Sequence, residues 1–197
     1  MNQRRDITDE ALARLAAAGD RTAFEEIVSR YCRPLVQFIA GRMGSFQDAE
    51  DVVQETFLKV FQHIGSFDNR YAFKSWLFTI AYRLSVSTYR RKRPVVLEQE
   101  ALGQFTDTSA QGPSDGDEIW DVVSRMKPDD YTVLWLRYKQ EMDMEQIAKV
   151  MKKTKTGVRV HLHRARNRLA EKIGVMQESV SISGCSLTGD VLMERTK

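Results

Sequence analysis

Cysteine, proline and glycine are all scarce in this chain, and so are uncharged runs. Cys32 and Cys185 are the two cysteines among 197 residues and lie far apart. That excludes a disulfide framework and a local zinc knuckle, and it fits a reducing compartment. Four prolines and eleven glycines are too few for a collagen-like or low-complexity chain. The longest stretch without Asp, Glu, Lys or Arg is residues 179–189, which is Ser-rich. It is too short and too polar to cross a bilayer, so no membrane insertion is expected. Arg4, Arg5, Asp6, Asp9 and Glu10 open the chain with no apolar run behind them, unlike a secretory signal. A glycine-rich phosphate loop, a nucleophile elbow and paired metal ligands are also missing. His161 and His163 fall roughly 200° apart on a helix and cannot share a metal. The expectation is a cytoplasmic protein that is not an enzyme and has no cofactor or metal.

What is present is charge, unevenly placed. Hydrophobic residues make up 42% of the chain and charged residues 29%, with a net charge of +3. Residues 1–94 hold 15 basic and 11 acidic side chains, whereas residues 95–118 hold six acids and no base. Residues 119–173 then hold 13 basic and 7 acidic side chains. Two basic blocks joined by an acidic one imply two domains, a linker and a polyanionic partner.

Helical periodicity dominates and strand alternation is rare. Leu12, Leu15 and Ala16 outline a first helix closed by Gly19-Asp20. Thr22 and Glu25 have capping-box spacing. Phe24, Ile27, Val28 and Tyr31 recur at the i, i+3, i+4, i+7 spacing of one buried face. That face continues through Leu35, Phe38 and Ile39, with a kink expected at Pro34 and an end at Gly41 and Gly44. A third helix is expected over 48–63, with Val53, Phe57, Val60, Phe61 and Ile64 on its apolar side and Gly65 as C-cap. A fourth is expected over 72–92. Residues 95–117 lose periodicity and are punctuated by Gly103, Gly112, Pro113 and Gly116, as in a flexible linker. Pattern returns at Ile119, Val122, Val123 and Met126, breaks at Pro128, and returns in three more helices ending near Leu169. Residues 174–197 resemble a disordered polar tail.

Two stretches carry recognition chemistry. The last two helices lie close together around Lys152-Lys153-Thr154, as in a helix-turn-helix. On the second of them Val158, Leu162, Ala165 and Leu169 share one side. Thr156, Arg159, Val160, His163, Arg164 and Asn167 share the other. Arg can read guanine, Asn adenine, and Val the thymine methyl group. Between Lys149 and Ala170 stand eight Lys or Arg and no acid, whereas an ordinary solvated face mixes signs. Upstream, Asp48, Glu50, Asp51, Gln54 and Glu55 crowd the first turns of one helix. Helix dipole chemistry accounts for part of that, and an acidic docking face for the rest. The following helix sets Phe73, Trp76, Phe78, Tyr82 and Tyr89 beside Arg83 and the run Arg90-Arg91-Lys92-Arg93. Aromatics among cations can stack unpaired bases and hold their phosphates. Phe73, Trp76 and Ile80 share a core-like face, while Tyr82 and Tyr89 are the candidates for exposure.

These blocks, in this order, resemble the extracytoplasmic-function (ECF) group of sigma-70 family RNA polymerase sigma factors. The N-terminal half of the resemblance rests on Ala23-Phe24-Glu25-Glu26-Ile27-Val28, on Asp48-Ala49-Glu50-Asp51-Val52-Val53-Gln54-Glu55-Thr56-Phe57, and on Phe73-Lys74-Ser75-Trp76-Leu77-Phe78-Thr79-Ile80-Ala81. The C-terminal half rests on Glu145-Gln146-Ile147-Ala148 and His163-Arg164-Ala165-Arg166. The resemblance implies an all-α protein of two small helical domains. A region-2 bundle would occupy 9–94, a flexible linker 95–117, a region-4 helix-turn-helix domain 118–173 and a tail 174–197. It implies that Asp48, Asp51, Gln54, Glu55 and Phe57 dock on the clamp coiled coil of the polymerase β′ subunit. Trp76, Tyr82, Arg83, Ser87, Arg90 and Arg91 would recognise and melt the −10 element. Thr156, Arg159, Val160, His163, Arg164, Arg166 and Asn167 would read the −35 element, with region 4 also touching the β flap. An anti-sigma factor is a further implied partner.

The chain departs from the family pattern in two places. The family often reads Ile-Ala-Arg-Asn-Leu and then Asp three positions on, where this chain has Ile80-Ala81-Tyr82-Arg83-Leu84 and Ser87. The recognition helix commonly opens Gly-Thr-Val, where this chain has Thr156-Gly157-Val158. Ser-Arg commonly follows the next basic residue, where this chain has Val160-His161. A rival reading is a one-component helix-turn-helix regulator whose N-terminal helices sense a ligand or dimerise. It leaves the aromatic, basic helix ending at Arg90–Arg93 without a task.

Overall fold

The computed structural model describes residues 7–92 and 118–184, and every regular element among them is helical. The first group comprises α1 (Asp9–Ala17), α2 (Arg21–Met43), α3 (Phe46–His63), a 3₁₀ turn (Ile64–Ser66) and α4 (Phe73–Lys92). The second comprises α5 (Glu118–Ser124), α6 (Pro128–Tyr138), α7 (Met144–Met151) and α8 (Lys155–Gly184). The whole of the expected linker, 95–117, and the end of the expected tail, 185–197, lie outside the described residues.

The first bundle is built around aromatic rings. Phe78 is fully buried on α4, with Phe38 of α2 at 5.3 Å and Tyr31 at 6.5 Å between ring centroids. Leu35, Phe38 and Ile39 follow Pro34 in α2 and are all fully buried. Each such side chain contributes about 1.5–3 kcal/mol by leaving water. Together they outweigh the ~3 kcal/mol cost of an interior proline, so α2 runs unbroken from Arg21 to Met43. Its N-cap is Asp20 rather than the expected Thr22. The Asp20 carboxylate accepts from the backbone N–H groups of Thr22 and Ala23 at 3.0 and 3.1 Å and from the Thr22 hydroxyl at 2.7 Å. An ionised acceptor at the positive end of the helix is the stronger cap.

Glycine placement also differs from expectation. Gly44, with φ +73°, is the C-cap of α2, whereas Gly41 lies inside the helix. Gly65 is no C-cap, because α3 passes through Ile64 into the 3₁₀ turn. The N-cap of α3 is Ser45, whose hydroxyl accepts from the Asp48 N–H at 3.3 Å. α1 supports the start of α4 across the fold, since Glu10 Oε1 accepts from the Phe73 N–H at 3.0 Å.

In the second group Pro128 opens α6 at a position where its missing N–H costs nothing. α7 carries a capping box of Asp143 and Gln146. α8 continues to Gly184, past the point at which sequence periodicity fades. That differs from the expectation of a tail from 174, and the absence of Pro or Gly between Val175 and Ser183 leaves nothing to stop the helix.

The two groups pack on each other. α6 lies against α2 and α7 against α4, and the buried residues of both belong to one hydrophobic cluster.

Candidate nucleic-acid interface

α7 and α8 meet at a tight turn. Lys152 adopts a left-handed conformation at φ +53° and ends α7. The Thr154 hydroxyl accepts from the Gly157 N–H at 3.0 Å at the start of α8. Val158, Leu162 and Ala165 are buried against α6 and α7, with Leu169 partly buried. Thr156, Arg159, Val160, His163, Arg164, Arg166 and Asn167 are all exposed on the outer face. Val160 is 45% exposed among these polar neighbours. An apolar side chain there suits a thymine methyl group better than it suits water.

His161 turns the other way. Its Nε2 lies 3.2 Å from Oδ1 of the buried Asp130, without the alignment of a hydrogen bond. Arg168 donates from Nη1 to both oxygens of that carboxylate at 2.9 Å. The polar side of α8 is thereby divided into Arg168, which anchors on Asp130, a half-buried His161 turned toward the same carboxylate, and an outward set that is available.

On α3, Asp51 and Gln54 are exposed, Asp48, Glu55 and Phe57 half-buried, and Phe57 packs on the core. Glu55 pairs with Lys59 at 3.6 Å. Two apolar side chains extend this face: Leu58, 63% exposed, and Phe61, 59% exposed. Phe61 is therefore not on the buried side expected for it, and its ring meets that of Phe24 edge-on at 5.2 Å. Val60 and Phe61 are adjacent and thus about 100° apart. Both cannot face one core, and Val60 is the one fully buried.

α4 exposes Arg83, Ser87, Arg90 and Arg91. Trp76 is only partly exposed, its ring 5.3 Å from that of Phe67 and 5.7 Å from that of Phe73. Tyr82, expected to be exposed, is half-buried, because the Arg42 guanidinium lies 4.6 Å above its ring centre. Burial, together with the nearby Asp129 carboxylate, pushes the Tyr82 hydroxyl above its ordinary range. Asp48, Asp51, Glu55, Thr88 and Arg91 line one groove between α3 and α4. The acidic face and the basic end of the aromatic helix thus adjoin, a juxtaposition the sequence did not reveal.

Among the described residues no cluster of three or more His, Cys, Asp or Glu could hold a metal, and no helix is long and apolar enough to cross a membrane.

Family comparisons fit both halves of the chain. A model of sigma-70 region 2 matches residues 27–95, and one of sigma-70 region 4 matches residues 116–169. The chain is 29% identical over 170 residues to the ECF RNA polymerase sigma factor SigW of Bacillus subtilis, covering 79% of this chain and 91% of that protein. It is 29% identical over 182 residues to the ECF RNA polymerase sigma-E factor of Haemophilus influenzae, covering 85% and 96%. The fold is similar to that of CnrH solved with the cytosolic domain of CnrY, with a TM-score of 0.65 at 24% identity over 85% of this chain and 97% of that one. It is also similar to the sigma factor RpoE of Bartonella quintana solved with the anti-sigma factor NepR, with a TM-score of 0.60 at 23% identity over 77% and 97%.

Proposed function

The chain belongs to the sigma-70 family of RNA polymerase sigma factors, in its ECF group, and from that premise we propose how its residues divide the work. It binds core RNA polymerase and directs promoter-specific initiation through −10 and −35 elements. Its relatives are sigma factors rather than one-component regulators or enzymes, and in our reading it has no catalysis of its own and acts in the cytoplasm.

The observation that carries the assignment of residues is the outer face of α8. Seven side chains suited to base edges and phosphates stand exposed there with no acid among them. In our reading Thr156, Arg159, Val160, His163, Arg164, Arg166 and Asn167 enter the major groove of the −35 element. Arg83, Ser87, Arg90 and Arg91 hold the −10 strand, with Trp76 and Tyr82 as its stacking rings. Asp48, Asp51, Gln54, Glu55 and Phe57 take the β′ clamp coiled coil, and the exposed Leu58 and Phe61 extend that face. Charge attraction steers such docking, and buried apolar contact holds it. Region 4 also touches the β flap. Residues 9–94 act as region 2, 95–117 as an acidic linker and 118–173 as region 4. An anti-sigma factor is a further proposed partner, since the similar RpoE fold was solved with one.

The experiment is reconstitution. Core polymerase with this chain should initiate on a subset of a promoter library that core alone leaves silent. Free protein should bind promoter duplex weakly, with steep salt dependence. Tight binding of a free dimer to a palindrome, without polymerase, would refute the assignment.

A further inference from the structure

Among the seven outward side chains of α8, Val160 is the apolar one, and it stands 45% exposed. Val158 and Leu162, two positions to either side, lie about 200° round the helix from it, and both are buried. Val160 therefore points away from the core and is no part of the buried cluster. Thr156 and Arg164 lie one turn before and after it, Arg159 is adjacent, and all three are exposed. The core gains nothing from an isopropyl group in that position. The cations around it select a polyanion as the partner that covers it.

One group that base pairs present in the major groove is apolar, the C5 methyl of thymine. The others are hydrogen-bond donors or acceptors, and valine has neither to offer them. Against an amino group or a carbonyl oxygen it would strip water from a polar atom and return no partner. Against a methyl group it removes apolar surface on both sides from water. Discrimination thus combines a gain on one base with a penalty on the rest. A valine within a helix is also held almost entirely in one χ1 rotamer, so the contact costs little side-chain entropy. The arginines alongside cannot take this part, because their N–H groups seek acceptors.

We infer that Val160 senses the C5 methyl group of a pyrimidine, and that the −35 element read by this chain carries a C5-methylated pyrimidine at the step facing it. The inference rests on the sigma-factor reading above and deepens it by naming the group that one side chain recognises. Thymine supplies that methyl in unmodified DNA. 5-Methylcytosine sets the same methyl on the same edge of the groove. Methylation of a cytosine at that step therefore strengthens binding that the unmodified cytosine weakens.

The test uses core polymerase reconstituted with the full chain. Promoters are first selected from a library, which shows whether the chain directs initiation at all. In a selected −35 duplex each thymine in turn is replaced by uracil, which removes the methyl group alone, and then by cytosine and by 5-methylcytosine. Taking one methyl group fully out of water corresponds to about fourfold in affinity. Wild type should lose about two- to fourfold with uracil at one step. At that step 5-methylcytosine should bind tighter than cytosine by about the same factor. Val160→Ser, whose helix propensity is similar, should lose both differences while its circular dichroism and urea midpoint match wild type. Val160→Ile should keep them. Equal affinity for thymine and uracil at every step would overturn the inference and leave the sigma-factor reading intact. So would a methyl effect that survives Val160→Ser, or a uracil effect with no difference between cytosine and 5-methylcytosine. If no promoter is selected, the sigma-factor reading fails and the inference falls with it.

Discussion

Arg168 of α8 places Nη1 2.9 Å from both carboxylate oxygens of Asp130 on α6, and that carboxylate is almost wholly buried, with 3% of its side chain exposed. His161, nearly two turns earlier on α8, approaches the same carboxylate at 3.2 Å. The Arg168 contact, together with the burial of Val158, Leu162 and Ala165 on the same helix, fixes its rotation about its own axis. That rotation decides which of its side chains face outward.

Removing the carboxylate should therefore loosen the recognition helix. Asp130→Ala is expected to cost about 1–3 kcal/mol, the range for losing a charged hydrogen-bond partner, and to fall in the lower part because Arg168 is 45% exposed. Urea unfolding of the free protein gives the number. Holoenzyme carrying the variant should bind every −35 sequence more weakly without reordering them. A variant as stable as wild type would mean the contact contributes nothing.

Arg159 and Arg166 should separate reading from holding. Arg159 leaves the first turns of α8, where a groove-bound helix reaches base edges, and Arg166 follows two turns later. Arg159→Ala is expected to cost roughly 1–3 kcal/mol on the preferred −35 sequence and to relax discrimination at one or two base pairs. Arg166→Ala should weaken all sequences about equally and lower the salt slope by roughly one unit. Binding by reconstituted holoenzyme to a −35 library at several salt concentrations distinguishes them. Exchange of the two phenotypes would show that the helix sits in the groove with another rotation.

On α3, Asp51→Lys should weaken association with core polymerase, because it sets like charge against a basic partner. Asp51 is exposed, so its stability should stay within about 0.5 kcal/mol of wild type. Phe61→Ala should weaken the same association through lost apolar contact. Pull-down with core polymerase, alongside thermal unfolding of each variant, checks both. Core binding at wild-type strength by both variants would place the docking face elsewhere.

Asp129 makes the packing of α6 on α2 sensitive to acid. Burial works against its ionisation, but Arg42 and Lys153 outweigh that and hold its carboxyl below the ordinary range. A carboxyl depressed in the folded state stabilises fully above its unfolded pKa, ~3.9, and that stabilisation is lost as the pH falls through the folded value. The stability difference between wild type and Asp129→Asn should thus be level from about pH 5 upward and shrink below about pH 4. Urea unfolding across that range measures it. A difference that grows on acidification would contradict an ionised Asp129.

The helices of this chain are legible because their buried faces are locally periodic. Ile27, Tyr31 and Leu35 on α2 and Val158, Leu162 and Ala165 on α8 repeat at helical spacing, and all six are buried. Helix caps are less locally encoded. Asp20 and Thr22 are both good N-cap residues, and only the extended backbone at Asp20 decides between them. Phe61 departs from the periodic expectation for a related reason. Apolar character at helical spacing marks a candidate for the core, and packing then chooses between neighbours such as Val60 and Phe61.

The sequence by itself determined the succession of helices, the two separate basic blocks and the set of residues on the outer face of α8. Each of these follows from order and spacing along one segment, since a 3.6-residue repeat assigns faces without reference to any neighbour. Tertiary structure alone decided that Gly41 is a seat for Tyr131 rather than a helix end, that Arg42 covers Tyr82, and that His161 turns inward to Asp130. Arg42 and its α6 partners stand more than 80 positions apart. No local pattern encodes which helix will lie against which, because that choice is made by the fit of whole faces and by charges that meet only once the chain has folded.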